Sequence, residues 1–570
     1  MPVIWVGMLM SAGGQPPFTS NTALTPRDRI DELVFARLKR LGIKPANLCS
    51  DAVFVRRAYL DVIGTLPTAL EAGTFILDPN LNKRSALVDR LLARDEFADY
   101  WAMKWSDLLR VKAEFPINLW PNAAQAYHHW IRTCLQENVP YDHFVRELLT
   151  ANGSNFAVPQ VNFYRAVQGK EPRAIARAVA LAFMGTRAET WPEERLSGMA
   201  AFFSSVAYKS TKEWKEEIVY FDPGKLYEPQ LSPPPPAETR LSSRVALPTL
   251  AAGSPGILPR PATGGSDATT THTLEAPVTD SPPAGDSRNT AVLPDGTPAM
   301  LSPDRDPRAV FADWLIAPGN PWFARNIVNR LWYWLLGRGV INEPDDIRPD
   351  NPPSNPELLA FLEQELISSH YDLKRVYRLI LNSQTYELSC VPGTDTPEAA
   401  AHFAFYPLRR LEAEVLIDAI NQVTGSTEQY SSAIPEPFTF MPEGQRSIAL
   451  PDGSITSSFL ELFGRPPRDT GLESERNNRV TAAQRLHLLN SSHILRKIQQ
   501  SPMIQYQTQS RKTPREIAVG MYLAILSRFP TEEELKIVET YFQSSGTTRR
   551  DAVVDLAWSL INSSEFLHRH

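Results

Sequence analysis

Proline divides this chain before any other feature does. Of 49 prolines, 16 lie between Pro229 and Pro307, and four in a row from Pro233 to Pro236 open the stretch. The residues between them are Ser, Thr, Ala and Gly with almost no aromatics (SDATTTHTLEAP, DSPPAGDSRNT). Such a composition buries too little apolar surface to offset the entropy of ordering. The sequence therefore predicts an extended, mobile linker over 226–304 between two lobes, 20–225 and 305–570.

Both lobes have the material for a core. The 570 residues are 43% hydrophobic and 21% charged, which is ordinary globular usage. A net charge of −6 argues against a nucleic-acid protein, which would carry a basic domain or stripe. Cys49, Cys134 and Cys390 stand far apart in sequence, so there is no zinc ribbon, no CxxCH haem attachment and no disulfide framework. The apolar run 3–10, followed by small residues at 11–14, fits the core and cleavage region of a secretory signal without the usual leading basic residue. Residues 1–19 are read as that segment or as a disordered terminus. No stretch is long and apolar enough for a transmembrane helix.

The periodicity is helical throughout. Thr25-Pro26 reads as a cap and first-turn proline before Ile30, Leu33, Val34, Leu38 and Leu41, with Gly42 as the stop. A helical pattern runs over 86–111 through Leu87, Leu91, Leu92, Phe97, Trp101, Trp105 and Leu108. In the second lobe 325–336 buries Ile327, Val328, Leu331, Trp332 and Leu335 before Gly337, and Asn355-Pro356 caps a helix faced with Leu358, Leu359, Leu362 and Leu366. Alternating strand patterns are scarce, so the expected fold class is all-α with long loops. An internal echo adds to this. YLDVIGTLPT (59–68) matches YLAILSRFPT (522–531), and KRSALVDRLLARDEF (83–97) matches RRDAVVDLAWSLINSSEF (549–566). Shared Pro-Thr and Glu-Phe positions favour a duplicated helical unit over chance likeness of amphipathic helices.

Longer motifs are more specific. NPWFARNIVNRLWYWLLGRGVINEPDDIRPDNPPSNPELLAFL (320–362), YDLKRVYRLILNSQTY (371–386), YPLRRLEAEVLIDAINQVTG (406–425), FGRPPRDT (463–470), LHLLNSSHI and SRFPTEEE run through the second lobe. Together they resemble the C-terminal domain of the planctomycete cytochrome-associated secreted proteins. RRAYLDVIGTLPT, NVPYDHFVRELLT and GMAAFF in the first lobe resemble its N-terminal companion. The resemblance implies a helical pair of domains in an exported protein found beside cytochrome c domains, and implies no defined activity. It also implies a CxxCH element and a His-Pro pair before the Trp…Ala-Ala-Phe-Phe segment, and two cysteines after Arg-Glu-Thr in the second lobe. Here Met184-Gly185-Thr186-Arg187 leads straight to Trp191, and RDTGLESER places Leu472 and Ser474 where the cysteines would stand. Two elements facing each other across one metal or haem site would be lost together, since a thiolate left alone is a liability in an oxidising compartment. Two independent losses are the plainer alternative.

The remaining candidates compete with structural roles. Asp345, Asp346, Asp350 and Asn351 offer oxygens for calcium, but their spacing is not an EF-hand's and Asp/Asn-Pro runs are ordinary turn chemistry. His128-His129 and His487 with His493 lack the i, i+4 spacing of a helical metal pair, and His487 reads as a partly buried, hydrogen-bonded side chain. Arginines cluster at Arg409-Arg410, Arg465/Arg468 and Arg476/Arg479; their forks suit carboxylate or sulfate on an anionic glycan, or pair with nearby Glu473 and Glu475. Trp101, Trp105, Trp332 and Trp334 read as core. No GxSxG, HExxH, Walker loop or GxGxxG is present.

The expectation is a non-enzymatic binding or scaffold protein of the envelope or secreted from the cell, with no cofactor and no metal. Its partners would be cytochrome-bearing or related envelope proteins, or extracellular polysaccharide, and not nucleic acid. The alternative is a glycan-processing or redox enzyme with a site between the lobes, built from Asp345, Asp346, Arg348, Arg465 and Arg468.

Overall fold

Helix ends follow local chemistry. In the computed structural model, which describes residues 18–570 except 21, 227–289 and 442, Arg29–Leu41 ends on Gly42 in the left-handed region at φ 67°. Its start is not the Thr25-Pro26 of the sequence reading. Asp28 caps it by accepting from the Asp31 N–H, while Thr25 N donates to Gln384 of the other lobe. Asn355 caps Pro356–Ser368 by accepting from Leu358 N, and Phe323–Leu336 stops at Gly337, φ 73°. The single helix expected over 86–111 is two, Lys83–Leu92 and Asp95–Leu108. Arg94 between them is extended (φ −77°, ψ 149°), with its guanidinium drawn to Glu71 and Glu96.

That arginine belongs to a structure that occurs twice. Thr68 caps Ala69–Leu77 in a reciprocal capping box with Glu71, and Thr531 caps Glu532–Phe542 with Glu534 in the same way. Tyr59 hydrogen-bonds Glu71, and Tyr522 hydrogen-bonds Glu534. Arg94 joins Glu71 (3.1 Å) to Glu96 (2.5 Å); Arg528 joins Glu534 (2.8 Å) to Glu565 (2.6 Å). The sequence echo is therefore an echo of side-chain chemistry, although the two arginines come from different places in the repeat.

The described strands are few and short. Gly153–Ser154, Glu217–Phe221 and Val206–Ser210 form a three-stranded antiparallel sheet in that spatial order. Residues 227–289 of the expected linker lie outside the described residues, as do residues 1–17 of the N-terminal segment. The last part of the linker range is a hairpin, Thr290–Val292 against Pro298–Met300. It is ordered because Ala291 and Leu293 are buried, with Val292 laid over Gly198, where a side chain would collide.

The two lobes dock into one body with a continuous hydrophobic core. Trp101 and Trp105 of the first lobe meet Trp334 of the second with ring centroids 5.5 and 6.1 Å apart, which confirms the core reading of these indoles. Polar side chains close the same seam. Buried Asp31 accepts from Gln384 N, Thr385 N and Thr385 Oγ1. Arg56 donates to the carbonyls of Ile525 and Phe566, and Arg57 to those of His570, Tyr386 and Leu388. Asp61 accepts from the hydroxyls of Tyr386 (2.9 Å) and Tyr406 (2.8 Å), and Lys104 pairs with Glu412 at 2.8 Å. Arg569, in a two-residue strand pairing His568–Arg569 with Arg409–Arg410, reaches Glu412 at 2.6 Å and donates to Tyr100 Oη.

Candidate functional site

The seam opens to solvent where residues 186–195 of the first lobe meet 321–353 of the second. On the first side, Pro172–Val179 runs into a wider π turn, Ala180–Met184, that ends on Gly185 at φ 62°. A Cβ on Gly185 would fall 2.5 Å from Asn326 Oδ1 and 3.0 Å from the Pro344 carbonyl, so only glycine fits. Asn326 Nδ2 donates to Ala182 O and Ile347 N to Gly185 O, which clamps the turn to the loop 342–347. Arg187 then pairs with Glu343 at 3.0 Å. Beyond it, Trp191 leads into the helix Glu193–Ala200, and the Arg195 guanidinium lies 4.0 Å from the centre of the Trp191 ring.

On the second side, Asn320 Oδ1 accepts from Trp322 N and Phe323 N and so sets the start of Phe323–Leu336. This brings Trp322 to Arg195 as well, its ring centre 5.5 Å from the guanidinium. The result is a cleft of about 610 Å³ lined by Trp191, Arg195, Trp322, Arg325, Asp346, Arg348 and Asn351 with a proline-rich rim.

The five charged candidates do not assemble into one site. Asp346 and Arg348 line the cleft, 3.1 Å apart, and Arg348 also holds Asp350 at 3.1 Å. Asp345 is buried behind them, paired with Arg330 at 2.7 Å and accepting from Glu473 N. Each of these carboxylates faces an arginine, and Asn351 Nδ2 donates to the carbonyls of Asn342 and Asp346 within the loop. No cluster of three or more metal-ligating side chains occurs among the described residues.

Arg465 and Arg468 lie in a separate hub. Arg468 Nε binds Asp107 at 2.9 Å, Arg476 bridges Asp107 (2.6 Å) and Glu414 (2.7 Å), and Arg465 stands 3.5 Å from Glu414. Arg465 also donates to the carbonyls of Ile455 and Asp452. Burial by itself would raise the Glu414 carboxyl, but Arg476 and Arg465 outweigh it and hold it down at about 2. Burial, with Arg468 adding to it, pushes Arg465 down to about 10. The carboxylates that satisfy Arg476 are thus Asp107 and Glu414, far away in sequence, and not the adjacent Glu475.

The histidines are placed as the structural readings have it. His128 is buried, and burial pushes it down to about 3, so it is neutral. His487 meets His493 at 3.4 Å, and His493 meets Glu428 at 3.1 Å.

Sequence reasoning missed the Trp191–Arg195–Trp322 stack. Its only local signal is WPEER, an arginine four residues after a tryptophan at a helix start; Trp322 is over a hundred residues away. The two segments where the family resemblance implies cysteines and histidines, 184–191 and 472–474, both touch the loop 342–347. Arg187 does so through Glu343 and Glu473 through Asp345, while Ser474 shares a small cavity with Glu343 and Pro344. Neither segment offers a thiolate or an imidazole, so the side chains present do not fit a zinc, iron or haem ligand set.

Two family models match. Residues 29–199 match PSCyt2, a protein of unknown function (DUF1549), and residues 307–542 match PSD1, a protein of unknown function (DUF1553). No curated protein and no solved structure matches the chain.

Proposed function

This chain joins the N-terminal and C-terminal companion domains of the planctomycete cytochrome-associated proteins, and on that premise we propose that it is a non-enzymatic binding or scaffold protein of the cell envelope or secreted from the cell. One observation carries the reading: three of the five side chains best suited to chemistry, Asp345, Arg465 and Arg468, are buried in ion pairs that close the body. An arginine so held cannot swing onto a substrate without stranding its carboxylate in the interior. Loss of a Cys/His metal or haem site belongs to the same proposal. The two segments concerned pack on one loop, the arrangement expected of two halves of a former site. Binding partners are then related cytochrome-bearing envelope proteins or extracellular polysaccharide.

The test uses full-length protein purified from its native envelope fraction. Elemental analysis and an absorption spectrum are expected to give no stoichiometric iron or zinc and no Soret band. Arg468→Ala is expected to lower the melting temperature, while Asp346→Ala leaves it unchanged. A stoichiometric metal overturns the loss of the site. The enzyme reading draws on Asp346 and Arg348 in the cleft; glycan or redox turnover abolished by Asp346→Ala, with unchanged melting, would establish it instead.

A further inference from the structure

Arg195 is an unusual side chain for its surroundings. Its guanidinium lies 4.0 Å from the centre of the Trp191 ring and 5.5 Å from that of Trp322, and lines the cleft at the seam. Other buried arginines without a carboxylate, such as Arg56, Arg57 and Arg410, donate to backbone carbonyls instead. Among the described residues Arg195 has neither a carboxylate within 4.0 Å nor a hydrogen-bond acceptor, and its Nε is buried without a partner. The nearest acid, Asp295, is committed to Trp314 Nε1 (2.9 Å) and Thr297 N (2.9 Å). Burial lowers the Arg195 pKa, but an arginine stays charged at any physiological pH. The protein thus keeps at the wall of a cleft a cation that rests on an indole, with Asp295 acting on it through space but no ion pair or hydrogen bond among the described residues.

A guanidinium resting on an indole has already lost part of its ordering entropy and is suited to a two-pronged bond to a carboxylate or sulfate. The rest of the cleft says what carries that anion. Pro192, Pro321, Pro349, Pro352 and Pro353 on its rim present flat apolar surface and no N–H donors. A peptide lying there finds few main-chain donors on the rim, which disfavours strand addition. A pyranose needs no such pairing: its C–H face lies on indole or proline, and its hydroxyls donate to the carboxylates of Asp346 and Asp350. The volume of about 610 Å³ exceeds one sugar ring and suits a short oligosaccharide.

We propose that the cleft binds an acidic saccharide, with a carboxylate or sulfate of the sugar on Arg195 and its rings along the Trp191, Trp322 and proline surfaces. The inference rests on the binding-protein reading above and gives it a ligand class. It also assigns Arg195 a role that no motif in the sequence marks.

The experiment titrates the full-length protein with trigalacturonic acid, following indole fluorescence and heat. Neutral galactotriose and sodium acetate are the controls, and the products are chromatographed. Trigalacturonate is expected to bind, galactotriose at least tenfold more weakly, and acetate not measurably. Arg195→Met is expected to weaken binding at least tenfold while leaving the melting temperature within a few degrees; Trp191→Ala is expected to weaken binding as much and also to lower the melting temperature, since the indole packs against the core. No binding, or equal binding of the neutral trimer, or an unchanged Arg195→Met overturns the proposal. Acetate binding as tightly as the trimer reduces it to a bare anion site and overturns the saccharide. Cleavage of the bound trimer leaves the site standing and overturns the non-enzymatic reading instead, so the two failures are distinguishable.

Discussion

Glu414 is the residue on which the seam hub turns. Fully buried, it is flanked by Arg476 and Arg465, and Arg476 continues to Asp107 and so to Arg468. Replacing it with glutamine leaves two interior cations short of a charge, and the expected loss at pH 7 is about 3 kcal/mol. The pH dependence has a definite sign. A carboxyl held at about 2 when folded and near 4.5 when unfolded stabilises the protein above 4.5, and that contribution drains away as pH falls toward 2. Urea unfolding of wild type and Glu414→Gln should therefore differ most at neutral pH and converge as acid is added; a gap that stays constant with pH would refute this. Sequence reading marked Arg465 and Arg468 as a cluster and offered ion pairs beside an anion site, but named Glu473 and Glu475 as the partners. Their partners come from 107 and 414, and no local spacing encodes a pairing across three hundred residues.

The duplicated unit makes element-scale predictions, because the same chemistry stands in two environments. Thr68→Ala and Thr531→Ala each remove the acceptor of a reciprocal cap and should each cost about 1 kcal/mol, read from denaturant midpoints. The arginines should not be equal. Arg94 is about a third exposed (35%) and Arg528 only 9%, so water can take over the carboxylates of the first far better than those of the second. Arg528→Ala is expected to cost clearly more than Arg94→Ala, and the reverse order would count against the burial argument. Elements of this kind were the most legible part of the sequence. Periodicity, Gly42, Gly337 and Asn355 gave the helices and their ends, and YLDVIGTLPT with YLAILSRFPT gave the repeat. The break at Arg94 was hidden because apolar spacing runs through it undisturbed, and what bends the chain is an ion pair.

At the scale of the whole molecule, the two matched domains behave as a single folding unit. Cutting the chain at a protease site inserted between residues 227 and 289 should leave both fragments eluting together and melting in one transition. Fragments ending near 226 and beginning near 290, expressed separately, should each be largely unfolded, because Arg56, Arg57, Asp61 and Asp31 then face no partner. Two independent transitions would contradict the shared core. The linker composition announced two pieces and the aromatics announced cores. That the cores were one could not be read, since Trp101 and Trp334 look alike whether they pack within a lobe or across lobes. The cleft was hidden for the same reason: each lobe supplies one of the indoles flanking Arg195.

The seating of Arg569 against Glu412, Tyr100 and the Leu60 carbonyl has a consequence for how the protein is made. At roughly 5–20 residues per second a ribosome needs about half a minute to two minutes to travel from Asp61 to Arg569. For that whole interval Arg56 and Arg57 of the newborn first domain lack carbonyls, those of Phe566 and His570, that have not yet been translated. Maturation thus waits for the segment that carries Arg569, and chains truncated just before it should be cleared by quality control as fully as chains truncated much earlier.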